Sequence, residues 1–310
     1  MPRSPKMSKK DKLNFLADIE DGYRPFDKHA LALLKSLLDD PDPDVRSEAI
    51  ACLWNDPDPK WIGVLMRKVI EDPHSQVRAH ALSVLGRYVF EGEAATLEGW
   101  EEYDTEINAE DCQRVHEFLL HFAQDPDESL EVRRYTIESL AFRTEDPDVL
   151  DFIEWAYRHR DVRLKTSAIF AMARNGDARW TKYILAEIRS DDPEIQYEAV
   201  HAAGELGLRE ATSALIELAR NKNVRKPLRL LSIHALGETG DRPAYPVLEG
   251  LTHSRDRDVR RVARDALETW IALSAMDEFD SEEDGLFDDD FEGYPDPDIW
   301  NDPMGTFSKN

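Results

Sequence analysis

The sequence is poor in the residues that mark several large classes of protein. Its 310 residues include only two cysteines, Cys52 and Cys112, which is too few for a disulfide scaffold and favours reduced thiols in a cytoplasmic protein. Fourteen glycines argue against an all-β architecture and against glycine-rich phosphate loops. No apolar run approaches the roughly 20 residues of a membrane span. The basic N-terminus is not followed by an apolar stretch either. We therefore expect neither a membrane segment nor a secretory signal.

Positive charge is also scarce. Lys and Arg number 39 against 64 Asp and Glu, which gives a net charge of −25. A surface of this sign repels phosphate backbones, so the composition argues against nucleic acid as a partner. The apolar fraction of 41% is sufficient for a sizeable core and excludes a chain that is disordered throughout.

A short pattern recurs along the chain and predicts a repeat architecture. An aliphatic anchor is followed in most copies by a basic residue, and a small residue stands four positions after the anchor. Positions 0, 4 and 8 share one stripe of a helix, where the small residue lets a neighbouring helix approach closely. The anchors are 30 to 33 residues apart, except for one gap of 55, and they are Val45, Val77, Val132, Val162, Ile195, Leu228 and Val259.

Each anchor helix follows another amphipathic run, and Asp-Pro steps such as Asp146-Pro147 and Asp192-Pro193 separate the runs. Proline opens a helix and aspartate caps its first N–H groups. The unit is therefore helix, turn, helix. The sequence predicts an all-α fold, a right-handed α-solenoid of about seven helix pairs over residues 27–275.

The segments His234–Asp241 and Asp258–Ala263 resemble the short HEAT-like repeats first named from phycobilisome lyases. The resemblance extends over residues 27–273 and is clearest from residue 160 onward. It implies stacked helix pairs whose second helices line a concave surface. Members of this family include bilin lyases, iron-dependent hydroxylases and scaffolds without catalytic activity, so the resemblance is specific for architecture rather than for function.

The arginine after the anchor recurs in six of the seven copies, with Gln196 as the exception. It could form a basic ladder for anionic ligands. The interpretation that we favour is a structural ladder, in which each arginine reaches the acidic residue before a neighbouring anchor.

The gap of 55 residues indicates an insertion at about residues 90–110, which is strongly acidic and contains Trp100 and Tyr103. Insertions in solenoids lie on one face, which is often the binding face. The alternative is a solvated loop whose aromatic residues fold back on the solenoid. Asn108, followed by Asp111, is typical of the cap that starts the next helix.

The two ends of the chain differ from the repeats. We predict that residues 1–26 form a basic N-terminal arm and a segment that leads into the first repeat. Residues 276–310 contain thirteen Asp and Glu and one Lys, and we expect a flexible, disordered tail. Its aromatic residues predict a linear motif that docks in a basic-rimmed groove, although a purely solubilising tail is the alternative. The motif residues are Phe287, Phe291, Tyr294 and Trp300.

The concave surface is the predicted partner-binding site, because exposed aromatic and aliphatic side chains beside charges are typical of interfaces. Its residues stand 2, 3, 6 and 10 positions after each anchor. His201 and His234 fall at the same position of consecutive repeats, but the His-Glu pairs of the iron hydroxylases occur here only once, so we predict no metal. The predicted residues are Arg134, Tyr135, Glu138, Phe142, Leu164, Met172, Tyr197, His201, Glu205, Leu231, His234 and Glu238.

No nucleophile elbow, phosphate loop or paired-cysteine zinc spacing occurs in the sequence, so we predict no catalytic residues and no cofactor. Our first hypothesis is a non-enzymatic, cytoplasmic scaffold or adaptor. It is monomeric alone and binds a protein partner, with no nucleic acid and no membrane. The alternative, which rests on the repeat resemblance, is a bilin lyase or isomerase that handles a chromophore.

Overall fold

The computed structural model describes residues 7–55, 57–94, 106–125 and 127–283. Within these ranges the chain is helical and contains no strand. Five short 3-10 helices lie at residues 52–55, 59–61, 178–180, 209–211 and 242–244. The α-helices are α1 (Lys9–Glu20), α2 (Lys28–Leu37), α3 (Pro43–Ala51), α4 (Ile62–Glu71), α5 (Ser75–Ala94), α6 (Ala109–Gln124), α7 (Leu130–Leu140), α8 (Pro147–Tyr157), α9 (Val162–Asn175), α10 (Thr181–Glu187), α11 (Pro193–Glu205), α12 (Thr212–Arg220), α13 (Lys226–Glu238), α14 (Tyr245–Leu251) and α15 (Arg257–Glu283).

The helices form two compact units, residues 1–180 and 181–310. In the first unit, α3, α5, α7 and α9 pack side by side, and α4, α6 and α8 pack against them. In the second unit, α11, α13 and α15 pack side by side, with α10, α12 and α14 against them. Each unit is therefore a stack of helix pairs. The prediction of an all-α repeat fold of about seven helix pairs is confirmed.

Small side chains at mid-helix allow neighbouring second helices to approach closely, as predicted. The residue four positions after each predicted anchor is buried in every pair, for example Ala49, Ala199 and Ala263. Glycine serves the same purpose nine positions after the anchor. A Cβ on Gly204 would lie 2.8 Å from Ala235 Cβ on the next second helix. The seam between the second helices thus depends on side-chain size as well as hydrophobicity.

The fourth pair has a different register from the one predicted. Val162, the expected anchor, is 36% exposed, whereas Leu164 is completely buried. Asp161 caps α9, so Leu164 is the third residue of its helix. Val45 and Ile195 occupy the same third position in α3 and α11. The helix cap therefore fixes the register, and the anchor of this pair is Leu164. The Asp-Val-Arg match at residues 161–163 placed the anchor two residues too early.

The residue after the anchor binds carbonyl oxygens at the C-terminal end of the first helix in its own pair. Arg46 Nη1 donates to the Asp40 carbonyl at 2.8 Å, and Arg229 Nε donates to the Ala219 carbonyl at 2.8 Å. These contacts satisfy carbonyls that the helix end leaves unpaired. Gln196 replaces the arginine in this role, because its amide donates to the Ile188 carbonyl at 3.0 Å.

Arginine–carboxylate pairs join adjacent repeats at two places, but their partners are not the predicted residues directly before the next anchors. Arg46 makes a buried bidentate pair with Asp72, at 2.7 and 2.9 Å, and Arg78 contacts Glu128 at 3.0 Å. Arg133 lies instead over the ring of Trp155, 4.1 Å from its centroid. The ladder is therefore incomplete, because the bonds to the first helix, rather than the ion pairs, are the recurrent feature.

Residues 9–20, predicted as part of a basic arm, form α1 and pack on α3. Phe15, Leu16 and Ile19 are buried. Lys9 Nζ lies 2.9 Å from the Asp42 carboxylate at the start of α3. Helix α1 thus covers the side of the first helix pair, and its lysines pair with acidic residues of the folded unit.

The boundaries of the insertion and the tail also shift. Helix α5 continues to Ala94, and Asn108 caps α6 by accepting from the Asp111 N–H, as predicted. Helix α15 continues to Glu283, so residues 276–283 are helical rather than part of the expected tail. Trp100, Tyr103, Phe287, Phe291, Tyr294 and Trp300, together with residues 95–105 and 284–310, lie outside the described residues.

Candidate functional site

The second helices of each unit carry the predicted binding residues. We call the surface that they present away from the first helices the second-helix face. Arg134, Tyr135 and Glu138 of α7, and Phe142 just after its end, are all half-buried. Arg134 Nε donates to Ser167 Oγ of α9 at 3.0 Å, so this arginine ties two second helices together. Four predicted residues of the first unit therefore lie on this face, and one of them is also a structural link.

Two predicted residues do not lie on the face. Leu164 and Met172 are completely buried, because the register of α9 is shifted by two residues. In the observed register, Phe170 and Arg174 occupy the positions six and ten residues after the anchor. The Arg174 guanidinium lies 5.2 Å from the centroid of the Phe170 ring. Leu164 and Met172 are therefore not available for binding. Phe170 and Arg174 stand at the binding positions of α9 instead.

An aromatic cluster on the first unit was missed by the sequence analysis. Arg87 of α5 lies over Trp54 and Phe90, at 5.8 and 5.3 Å from their ring centroids. The Phe90 ring meets the Phe142 ring edge-on at 5.3 Å. Arg87 also pairs with Glu91, whose side chain is 4% exposed. Arg87 stands ten positions after the second anchor, Val77, so the offset rule could have identified it. Trp54 and Phe90 stand at positions that the rule does not include.

In the second unit the corresponding positions carry histidine and glutamate. His201 Nδ1 lies 3.4 Å from Glu198 and 3.9 Å from Glu205, both on its own helix. His234 Nε2 lies 3.3 Å from Glu238. Each predicted histidine is therefore held by glutamates one turn away.

Burial distinguishes the glutamates of this face from ordinary surface residues. The side chains of Glu198 and Glu205 are each only 6% exposed, and that of Glu238 is 29% exposed. Glu238 Oε2 lies 3.0 Å from the position that a Cβ on Gly204 would occupy, so α11 and α13 contribute to one acidic surface. Tyr197 and Leu231 are half-buried on the same two helices.

Burial keeps two tyrosines of the face and both cysteines of the chain in their protonated forms. Burial raises the pKa of Tyr135 and of Tyr197, so both hydroxyls stay protonated at neutral pH. Burial also raises the pKa of Cys112 to about 11 and raises that of Cys52, which keeps both as thiols.

Metal ligation and membrane insertion have no support in the described part of the chain. Among these residues, no group of three or more His, Cys, Asp or Glu side chains is placed to hold a metal ion. The described helices include none with the length and apolar content needed to cross a bilayer. The arrangement offers aromatic, arginine and carboxylate groups for contact with another molecule.

The family model of HEAT repeats matches residues 30–103 and 181–268, just over half of the chain. The chain therefore belongs to the HEAT-repeat family. The repeat type predicted from the sequence is confirmed at this level. No curated protein matches the chain.

Solved structures of similar fold include yeast importin-β, Kap95p, with 14% identity and a TM-score of 0.53 over 87% of this chain and 40% of that one. Human deoxyhypusine hydroxylase has 18% identity and a TM-score of 0.38, over 87% of this chain and 93% of that one. The CpcE–CpcF phycocyanin lyase from Nostoc has 14% identity and a TM-score of 0.44, over 87% and 97%. The likeness to importin-β shows the fold alone.

Proposed function

We propose that this protein is a non-enzymatic interaction scaffold that binds a protein partner through its second-helix face. The observation that carries the proposal is the composition of that face in the second unit. Tyr197 and Leu231, both half-buried, lie among the glutamates of α11 and α13. Large apolar side chains beside charged groups are characteristic of protein interfaces rather than of ordinary surface.

The charge on this face favours a basic partner segment. Glu198, Glu205 and Glu238 supply three carboxylates to this face, each within 4 Å of a histidine. The whole chain has a net charge of −25. A partner that presents Lys or Arg thus gains faster association, and it gains a charge-assisted hydrogen bond at Glu238, the most exposed of the three.

The proposal is tested by capturing partners from the native host on immobilised full-length protein. We compare the unmodified chain with the double variant Tyr197→Ala/Leu231→Ala. Truncating central interface residues weakens binding by about tenfold or more, so capture by this variant should be largely lost. Anisotropy with a labelled peptide of alternating Lys and Arg should show weaker binding to Glu205→Gln/Glu238→Gln.

A matched control removes a tyrosine and a branched aliphatic residue from elsewhere in the chain. Tyr23 is 82% exposed and Ile70 is 64% exposed, and neither lies on a second helix. The variant Tyr23→Ala/Ile70→Ala should capture the same proteins as the unmodified chain. Equal loss in both double variants, or full capture by the Tyr197/Leu231 variant, would show that the second-helix face is not the binding surface.

The alternative function, a bilin lyase or isomerase, rests on the repeat resemblance alone. It requires a tetrapyrrole to bind and its absorbance spectrum to change. Mixing the full chain with a free bilin tests this directly. An unchanged spectrum at excess protein removes the alternative and leaves the scaffold proposal untouched.

A further inference from the structure

The charge of the turns that join first to second helices changes sign in the second unit. The turn over residues 188–194 contains one arginine and three acidic residues. The next turn, residues 220–226, contains four basic residues and no acidic one. The last turn, residues 252–258, contains two arginines and two aspartates. We call the surface formed by the last two turns, residues 220–226 and 252–258, the basic edge.

The aspartates of the last turn, Asp256 and Asp258, both pair with one lysine of the turn before it. Lys226 Nζ lies 3.1 Å from the Asp256 carboxylate and also contacts Asp258. This link places the two turns side by side, because Lys226 begins α13 and Asp256 precedes α15. The arginines of the last turn, Arg255 and Arg257, form no ion pair with either aspartate.

The remaining cations of the basic edge are exposed. Arg220, Lys222, Arg255 and Arg257 are all exposed, and none forms an ion pair with a described residue. The two turns together hold six basic and two acidic residues, so a net repulsion among the cations remains. An acidic segment bound there relieves that repulsion and releases the counterions that the cations hold.

We propose that the basic edge binds residues 294–302 of the same chain. This segment contains Asp296, Asp298 and Asp302, no basic residue, and two prolines that favour an extended backbone. Tyr294 and Trp300 flank the carboxylates and can lie over guanidinium groups. The inference goes beyond the proposed partner binding, because it assigns an intramolecular ligand to a different surface.

Chain length selects this part of the acidic terminus. Helix α15 begins at the basic edge with Arg257 and ends at Glu283. Its 27 residues have a length of about 40 Å at 1.5 Å per residue. An extended chain covers at most about 3.6 Å per residue, so about a dozen residues after Glu283 are needed to return to the edge. Residues 296–302 fulfil this condition, whereas the acidic run 288–290 is too close to the end of the helix.

Zero-length cross-linking of the full chain with a carbodiimide tests the proposal, because this reagent joins a lysine amine to a carboxylate in direct contact. We expect monomeric products that link Lys222 or Lys226 to Asp296, Asp298 or Asp302, identified by mass spectrometry of peptides. Raising the ionic strength should decrease their yield, since exposed charges are screened within about 10 Å at 0.1 M salt.

Two pairs of variants make the test specific. Arg220→Glu/Arg255→Glu/Arg257→Glu keeps the reactive lysines and should decrease the yield by at least about fivefold, since several exposed ion pairs of modest strength are lost. The control Lys10→Glu/Arg114→Glu/Arg160→Glu changes the net charge equally at exposed residues of the first unit and should leave the yield unchanged.

The second pair of variants replaces aspartates of the C-terminal segment by asparagine. Asp296→Asn/Asp298→Asn/Asp302→Asn should lose the cross-links, whereas Asp288→Asn/Asp289→Asn/Asp290→Asn should retain them. Circular dichroism of every variant confirms that the helices are intact. Cross-links found only in dimers, or lost equally in both Asn variants, overturn the proposal. So does an unchanged yield in the arginine variant.

Discussion

The packing of α13 against α15 makes a sharp prediction at Gly237. A Cβ at this position would lie 2.4 Å from the Ala266 carbonyl oxygen and 2.8 Å from Ala266 Cα. Ordinary contacts begin at about 3.4 Å, so Gly237→Ala requires the two helix backbones to separate by about 1 Å. Unlike a flexible side chain, the backbone of a packed helix cannot move aside locally.

The expected magnitude combines two opposing effects. Overpacking of this kind destabilises proteins by about 1–3 kcal/mol. Replacing glycine by alanine inside a helix stabilises it by about 0.5–1 kcal/mol. We therefore expect Gly237→Ala to lower the free energy of unfolding by about 1–2 kcal/mol.

Gly250 of α14 provides the control, since no atom lies within 4 Å of the position of its missing Cβ. Gly250→Ala should stabilise the protein by about 0.5 kcal/mol through helix propensity alone. Urea denaturation followed by circular dichroism at 222 nm compares the two midpoints, which should shift in opposite directions. If Gly237→Ala raises the midpoint as Gly250→Ala does, the proposed close approach of α13 and α15 is refuted.

Three further predictions concern the register, the buried ion pair and pH. Leu164→Asp should destabilise the protein by more than about 3 kcal/mol, because it buries a charge, whereas Val162→Asp at the exposed start of α9 should change stability by less than about 0.5 kcal/mol. Arg46→Ala should cost about 3 kcal/mol, because it leaves a buried carboxylate without its partner. Burial lowers the pKa of His80 and of His116. Unfolding therefore takes up protons near pH 6.5, and stability should fall as the pH is lowered below that value.

Urea midpoints provide the measurement for all three. Arg163→Ala is the control for the ion pair, since Arg163 is exposed and its side chain contacts its own helix cap, Asp161. Equal effects of Arg46→Ala and Arg163→Ala would contradict the importance of the buried pair. In the double variant His80→Gln/His116→Gln, the free energy of unfolding should change less between pH 7.5 and pH 5.5. If it changes as much as in the unmodified chain, other groups cause the pH dependence.

Local sequence rules predicted the repeat and most helix starts. Asn108 and Asp192 were identifiable as caps because capping depends on a side chain and the N–H groups two or three residues later. The Val162 assignment failed because similarity to a motif was given more weight than the cap at Asp161. The aromatic cluster around Arg87 was missed, since its members come from different helices and from positions outside the predicted offsets.

The amino-acid order alone determined that this chain forms helix pairs with a small residue in each second helix, because helical periodicity and capping are properties of neighbouring residues. Only the tertiary structure decided what the arginines bind, how deeply Glu198 and Glu205 are buried, and that the turns at Arg220 and Arg255 form one basic surface. These features depend on which helices meet, and the distance between side chains on separate helices is set by packing rather than by the spacing along the chain.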